Sequence, residues 1–226
     1  MIGYYGSWTL IGISLLITLG AQFFVTTTYG KYKKVENKTK KTGFETAREI
    51  LDKNGLNDIY VVETQGNLTD HYDPKRNTIR LSSDIFHGTS IAACAVAAHE
   101  VGHALQYKDG YTPIKIRNSI IPLVNFSSSA GYFAILISFI TGLTDLLWIG
   151  IALEVIILLF QLLTLPVEFN ASKRAKEQLG KEQILDNNEI NGANTMLNAA
   201  AMTYVASVVT AILQIIRLVL IARDND

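Results

Sequence analysis

Residues 99–103 of this 226-residue chain read His99-Glu100-Val101-Gly102-His103. On a helix, residues four apart share one face, so both imidazoles can reach a single ion. Glu100 projects to the side, where its carboxylate can hold and deprotonate a water on that ion without ligating the ion itself. This set suits hydrolysis by a zinc-activated water, with Glu100 as general base. A pattern this short also arises by chance, as two surface histidines near a carboxylate. The preceding run argues against chance: Ile91 to Ala98 is small and apolar, so the helix is expected to be buried, and buried imidazoles and carboxylates require partners.

A catalytic zinc site takes a third protein ligand and keeps one position open for water. Four residues are candidates: His71, His87, Asp109 and Glu168. His87 stands in a loop setting, and Asp109 follows the helix too closely to wrap back with ease. Glu168 ends an apolar run and opens a helical stretch, FNASKRAKEQL, where a carboxylate serves either as a ligand or as an interfacial anchor. Spacing alone does not choose among the four.

Several elements must position these residues. Thr89-Ser90 can cap a helix over Ile91 to Gln106. Gly43 to Asn54 carries Phe44, Ala47, Ile50 and Leu51 on one face, with Gly55 just beyond, and reads as an amphipathic helix. Ile59 to Glu63 is strand-like. Gly66 to Arg76 is rich in turn formers, and Asn77 to Ser82 alternates as a second strand. That second strand is expected to offer an edge to an extended substrate.

The rest of the chain is apolar and clumped. Hydrophobic residues make up 49% against 18% charged, with 20 basic and 20 acidic residues and one cysteine. Disorder is excluded by the apolar content, a disulfide scaffold by the lone cysteine, and nucleic-acid binding finds no support without a basic excess. Met1 to Gly30 lacks Asp, Glu, Lys and Arg. With no basic residue ahead of the apolar run, it reads as an uncleaved membrane helix and not as a signal peptide. Asn118 to Thr144 is also charge-free, Leu146 to Val167 is broken only by Glu154, and a weaker run begins near Asn198. The fourth run carries Arg217, so it either spans or lies along the membrane. Of the 20 Lys and Arg, 18 fall in Lys31–Arg117 and Lys173–Lys181, which places both loops in the cytoplasm and the N-terminus outside. The cluster Lys31 to Lys41 suits anionic headgroups.

The expected fold is therefore a mainly α integral membrane protein of 3–4 transmembrane helices with a small α+β zincin-like catalytic domain. Its parts are 1–30, a transmembrane helix; 31–117, the catalytic segment; 118–167, a transmembrane hairpin; 168–197, a cytoplasmic segment; and 198–226, a fourth apolar helix.

Several motifs in order carry a resemblance: DHYDP (Asp70 to Pro74), RLSS (Arg80 to Ser83), AAHEVGHALQ, TLPVEFNASKRA (Thr164 to Ala175) and AAAMTYVA (Ala199 to Ala206). Together they resemble the neutral zinc metallopeptidase family of bacterial membrane proteins, and more distantly the membrane heat-shock proteases and prenyl-protein endoproteases. The resemblance implies Zn²⁺ as cofactor, Glu168 as third ligand beside His99 and His103, and endopeptidase activity at the cytoplasmic face of a bacterial cell membrane, with a peptide or protein substrate. His71 and Tyr204, inside family-like motifs, are candidates to contact substrate or the oxyanion. Relatives often carry Asp where Asn170 stands, which makes Asn170 a candidate support for a ligand histidine without the charge. Arg174 is placed either against a carboxylate near the site or at the headgroups.

Two other readings are weighed. A protease with its HExxH inside a span would need about 20 apolar residues there, and the run before His99 is far shorter. A non-catalytic zinc-stabilised scaffold would close its metal with four ligands, usually including Cys. Cys94, five residues before His99, reads as a small core residue. Glu154 reads either as a functional intramembrane charge or as a protonated acid bonded to a neighbouring helix.

Overall fold

The computed structural model describes residues 2–225, with side chains over 6–224; Met1 and Asp226, the outer ends of the first and last expected segments, lie outside the described residues. In chain order the elements are α1 (Ile2–Tyr32), α2 (Gly43–Lys53), β1 (Tyr60–Thr64), β2 (His71–Asp73), β3 (Thr78–Ser82), α3 (Ser83–Phe86), α4 (Ile91–Lys108), α5 (Thr112–Ser119), α6 (Ile121–Thr141), α7 (Thr144–Lys181) and α8 (Asn187–Asn225). The chain divides into two compact units. The protein is mainly α with one small sheet, as expected.

One unit comprises Met1–Phe23, Pro113–Pro166 and Met202–Asp226. Among the described residues, four helices are long and apolar enough to cross a bilayer: Gly6–Tyr32, Ile121–Thr141, Thr144–Lys181 and Asn187–Asp224. Leu16, Phe23, Phe126 and Ile140 are more than half exposed on them. Exposing such surface to water costs roughly 25 cal/mol per Å², whereas lipid tails accept it, and a helix satisfies its own backbone there. The last of these segments was left open between spanning and lying flat. It is one helix of 39 residues, about 58 Å long at about 1.5 Å per residue and so ample to span. The turn between α6 and α7 rests on Gly142, which adopts the left-handed φ of 73° that costs glycine least.

The second unit comprises Phe24–Thr112 and Val167–Ala201. Its sheet has the order β1-β3-β2, with β1 parallel and β2 antiparallel to β3. Two sequence expectations change here. The segment Gly66 to Arg76 is not only turn, because His71–Asp73 forms the short strand β2. β3 is the middle strand and offers no edge to a substrate: β1 covers one side, β2 covers part of the other, and Asp70 accepts from the Ser82 N–H beyond the end of β2. Thr78, Ile79, Leu81 and Ser82 are buried, Ile79 and Leu81 within the core shared with α2 and α4. The helix α3 has no expected counterpart.

α4 runs through the middle of this unit's core. Ala92, Ala93, Ala95, Ala97 and Val101 are fully buried against Ile50 and Leu51 of α2, Ile79 and Leu81 of β3, and Ala175 and Leu179 of α7. Small side chains all around α4 let several elements approach it at once. Its start is set by Ser90, whose side chain accepts from the Ala93 N–H. α2 opens with a reciprocal box between Thr42 and Glu45, which satisfies two otherwise orphaned N–H groups.

Candidate metal centre

His99 and His103 stand one turn apart on α4, their ring centroids 4.9 Å apart and the planes nearly perpendicular. Glu168, on α7, reaches between them: its Oε2 lies 3.3 Å from His99 Nε2 and 3.7 Å from His103 Nε2. The ligand atoms of all three fall within 4.8 Å of one another. Nitrogen and oxygen ligands held tetrahedrally at 2.0–2.2 Å from a zinc ion stand about 3.4 Å apart, so the residues fit the ion. Among the described residues this is the one His/Cys/Asp/Glu group of that kind.

The approach of α7 to α4 depends on Gly102. A β-carbon there would sit 2.5 Å from the Ala171 carbonyl oxygen, inside any permitted contact. The glycine between the two histidines therefore admits the helix that carries Glu168. Glu168 is 3% exposed and Glu100 8%. Burial pushes the Glu168 carboxyl up, but hydrogen bonds and charge from His103 and His99 outweigh it and hold the group below the usual carboxylate range. Burial lowers His103, yet the carboxylates of Glu168 and Glu100 raise it above its ordinary value. The two imidazoles thus flank a buried carboxylate, and a metal ion held among them would require both rings neutral, so that binding releases any proton they carry.

The far sides of both rings are also held. His99 Nδ1 lies 3.2 Å from the Ser172 hydroxyl, and His103 Nδ1 lies 3.0 Å from Gln106 Oε1. Gln106 is fully buried; its amide donates to the Val167 carbonyl at 2.8 Å and to Asn170 Oδ1 at 3.0 Å. Arg174 Nε donates to the same Asn170 oxygen at 2.8 Å, and its outer nitrogen donates to Asp109 at 2.5 Å. Arg174 accordingly meets a carboxylate near the cluster. Gln106 and Ser172 are not singled out by the sequence alone. The only available sign was spacing: Gln106 follows His103 by three residues and Ser172 follows Glu168 by four, on the same helix faces.

The other sequence candidates are not among the residues of this cluster. His87 pairs with Glu63 at 3.2 Å, both largely exposed. Asp109 is engaged by Arg174. His71 is exposed, its Nδ1 2.7 Å from the Thr69 carbonyl. Asp73 accepts from the Lys75 and Arg76 N–H groups and shapes the turn. Tyr204 is on α8 in the membrane unit. Cys94 is a core residue, as read from the sequence: it is fully buried near Asn37 and Thr46, and burial pushes its thiol up to about 11. Glu154 lines a cavity of about 540 Å³ within the membrane unit, together with Gln161, Gln214 and Arg217.

Among the described residues, four helices long and apolar enough to cross a membrane and a His-His-Glu cluster with a buried carboxylate define a membrane protein with a candidate metal centre. The chain belongs to the family described as "Putative neutral zinc metallopeptidase", which matches residues 7–223. It is similar to the "Putative membrane protease YugP" of Bacillus subtilis (strain 168), at 47% identity over 216 residues, covering 94% of this chain and 96% of the relative. No solved structure matches it.

Proposed function

We propose that this protein is a membrane-embedded zinc endopeptidase that hydrolyses peptide bonds at the cytoplasmic face of a bacterial cell membrane, in the turnover of membrane or misfolded proteins. The observation that carries this reading is the convergence of His99, His103 and Glu168 beside a buried Glu100. His99, His103 and Glu168 hold the zinc. When bound, the ion supplies a Lewis acid that lowers the pKa of a coordinated water to roughly 7 and polarises the scissile carbonyl. Glu100, one residue from the first ligand, accepts the water proton and later delivers it to the leaving amine. Three protein ligands leave a position open for water, as a catalytic centre needs and a closed structural zinc does not.

His71 and Tyr204 remain proposed contacts for substrate or the oxyanion. Asn170 and Arg174 support the ligand set from behind through the bonds described above. The segments proposed for these roles are the catalytic stretch 31–117 and the ligand-bearing stretch 168–197, between transmembrane parts 1–30, 118–167 and 198–226. The cytoplasmic assignment is supported by the 18 of 20 basic residues in those two stretches.

The test compares wild type with Glu100→Gln in one lipid-reconstituted preparation. Zinc content should stay near one per chain in both, while cleavage of an unfolded model protein should fall in the variant by roughly 10²–10⁴-fold. Equal cleavage by both would sink the mechanism. Full zinc with no metal-dependent cleavage by either would instead support a non-catalytic zinc scaffold.

A further inference from the structure

We infer that Gln106 is a positioning residue for the metal centre: its side-chain amide, locked in one orientation, holds His103 as the Nδ1–H tautomer and leaves Nε2 to face Glu168 and the ion. The inference rests on the proposed zinc site and adds to it a residue that touches neither ion nor substrate.

The orientation follows from which atoms can only give and which can only take. A backbone carbonyl only accepts. The Gln106 group 2.8 Å from the Val167 carbonyl must therefore be the NH₂. An arginine side chain only donates. The Asn170 atom 2.8 Å from Arg174 Nε must therefore be its oxygen, and that oxygen again requires the NH₂ of Gln106 at 3.0 Å. Two independent locks agree. With the NH₂ committed, Gln106 presents its oxygen to His103 Nδ1 at 3.0 Å, and only a protonated Nδ1 can satisfy it. In the neutral ring the lone pair is then on Nε2, the nitrogen that faces Glu168. Turned the other way, the Gln106 oxygen would oppose two acceptors although the side chain has no exposed surface. Its NH₂ would demand a lone pair on Nδ1, and the proton would move to Nε2, where it blocks ligation.

His99 has no such lock. Its Nδ1 faces the Ser172 hydroxyl, which rotates and both donates and accepts. The two ligand histidines are therefore set by unlike means. The same bonds give a role to Asn170, which needs only an acceptor oxygen here. The negative charge that balances Arg174 comes from Asp109.

The experiment uses full-length protein in lipid nanodiscs, with wild type, Gln106→Leu and Gln106→Glu. Zinc affinity is read by chelator competition. Tautomers are read by ¹⁵N NMR of the metal-free protein at pH 9 with labelled histidine, of which the chain has four. Gln106→Leu should weaken zinc binding by roughly 10–100-fold. Gln106→Glu keeps an acceptor oxygen before Nδ1, and its other oxygen can meet the Val167 and Asn170 acceptors only as a protonated acid; in that form it should recover part of the loss, whereas a purely packing role would favour Leu. Wild-type His103 should show a protonated Nδ1. Equal zinc affinity for Gln106→Leu and wild type overturns the inference, as does a lone pair on His103 Nδ1. Absence of zinc binding by wild type would defeat the proposed function, and the NMR result would still decide this inference. Failure of both variants to fold leaves the wild-type tautomer as the deciding measurement.

Discussion

Two histidine–glutamate pairs in this molecule have almost the same length and opposite character. His87 and Glu63 lie 3.2 Å apart, with side chains 67% and 44% exposed. His99 and Glu168 lie 3.3 Å apart, with side chains 18% and 4% exposed. At the surface, water and salt screen the pair and each group has a solvated alternative. In the core no such alternative exists. The far side of each ligand ring is answered by a polar partner, through Ser172, Gln106, Asn170 and Arg174. A contact distance does not make a candidate site; removal from water, together with a complete set of partners, does.

The largest test of that contrast is Glu168→Ala, on the proposed reading. It should take bound zinc from about one per chain to near zero and abolish cleavage, because two imidazoles alone cannot complete the centre. Retention of stoichiometric zinc would break the contrast at its centre. The next effect concerns Cys94, whose environment is as dry as that of Glu168. Its thiol is raised to about 11 in the fold and titrates near 8.5 when unfolded. The folded state therefore binds the extra proton between those values, and stability falls as pH rises through about 9 to 11, by roughly 2–3 kcal/mol. Thermal unfolding across that range should show a steeper loss for wild type than for Cys94→Ala. Parallel curves would count against the burial described for this residue.

A somewhat smaller change is expected from Gly102→Ala. The added carbon meets the Ala171 carbonyl at 2.5 Å, so α4 and α7 must separate, at a cost of about 1–3 kcal/mol. Zinc affinity should weaken along with stability. An unchanged melting temperature would show that the two helices do not approach as described. The smallest effect belongs to the exposed pair. Glu63→Ala should leave the melting temperature nearly unchanged and zinc content alone, and a loss comparable to that of Glu168→Ala would erase the distinction between the two pairs.

Much of this was legible residue by residue. The helix of His99 and His103 was readable because its capping serine, its small apolar run and its four-residue spacing are all local. The spanning segments were readable because an absence of charge over a bilayer's thickness is also local. β3 was misplaced as an edge because an alternating pattern describes one strand and is silent about its neighbours; the covering strand β2 is three residues long and hidden among turn formers. Gln106 went unnoticed because a glutamine after a helical histidine has no meaning until something answers its amide.

The sequence alone determines the chemistry on offer: two imidazoles on one helical face, a carboxylate beside the first, and a marked charge asymmetry between segments. It does so because helical periodicity and hydrophobic length act over short range. The tertiary structure alone decides which distant carboxylate arrives and which way the neighbouring amide turns. Glu168 reaches the histidines because Gly102 admits α7, and Gln106 is oriented by a carbonyl 61 residues away. Those choices depend on where donors and acceptors meet in space, and separation along the chain carries no record of it.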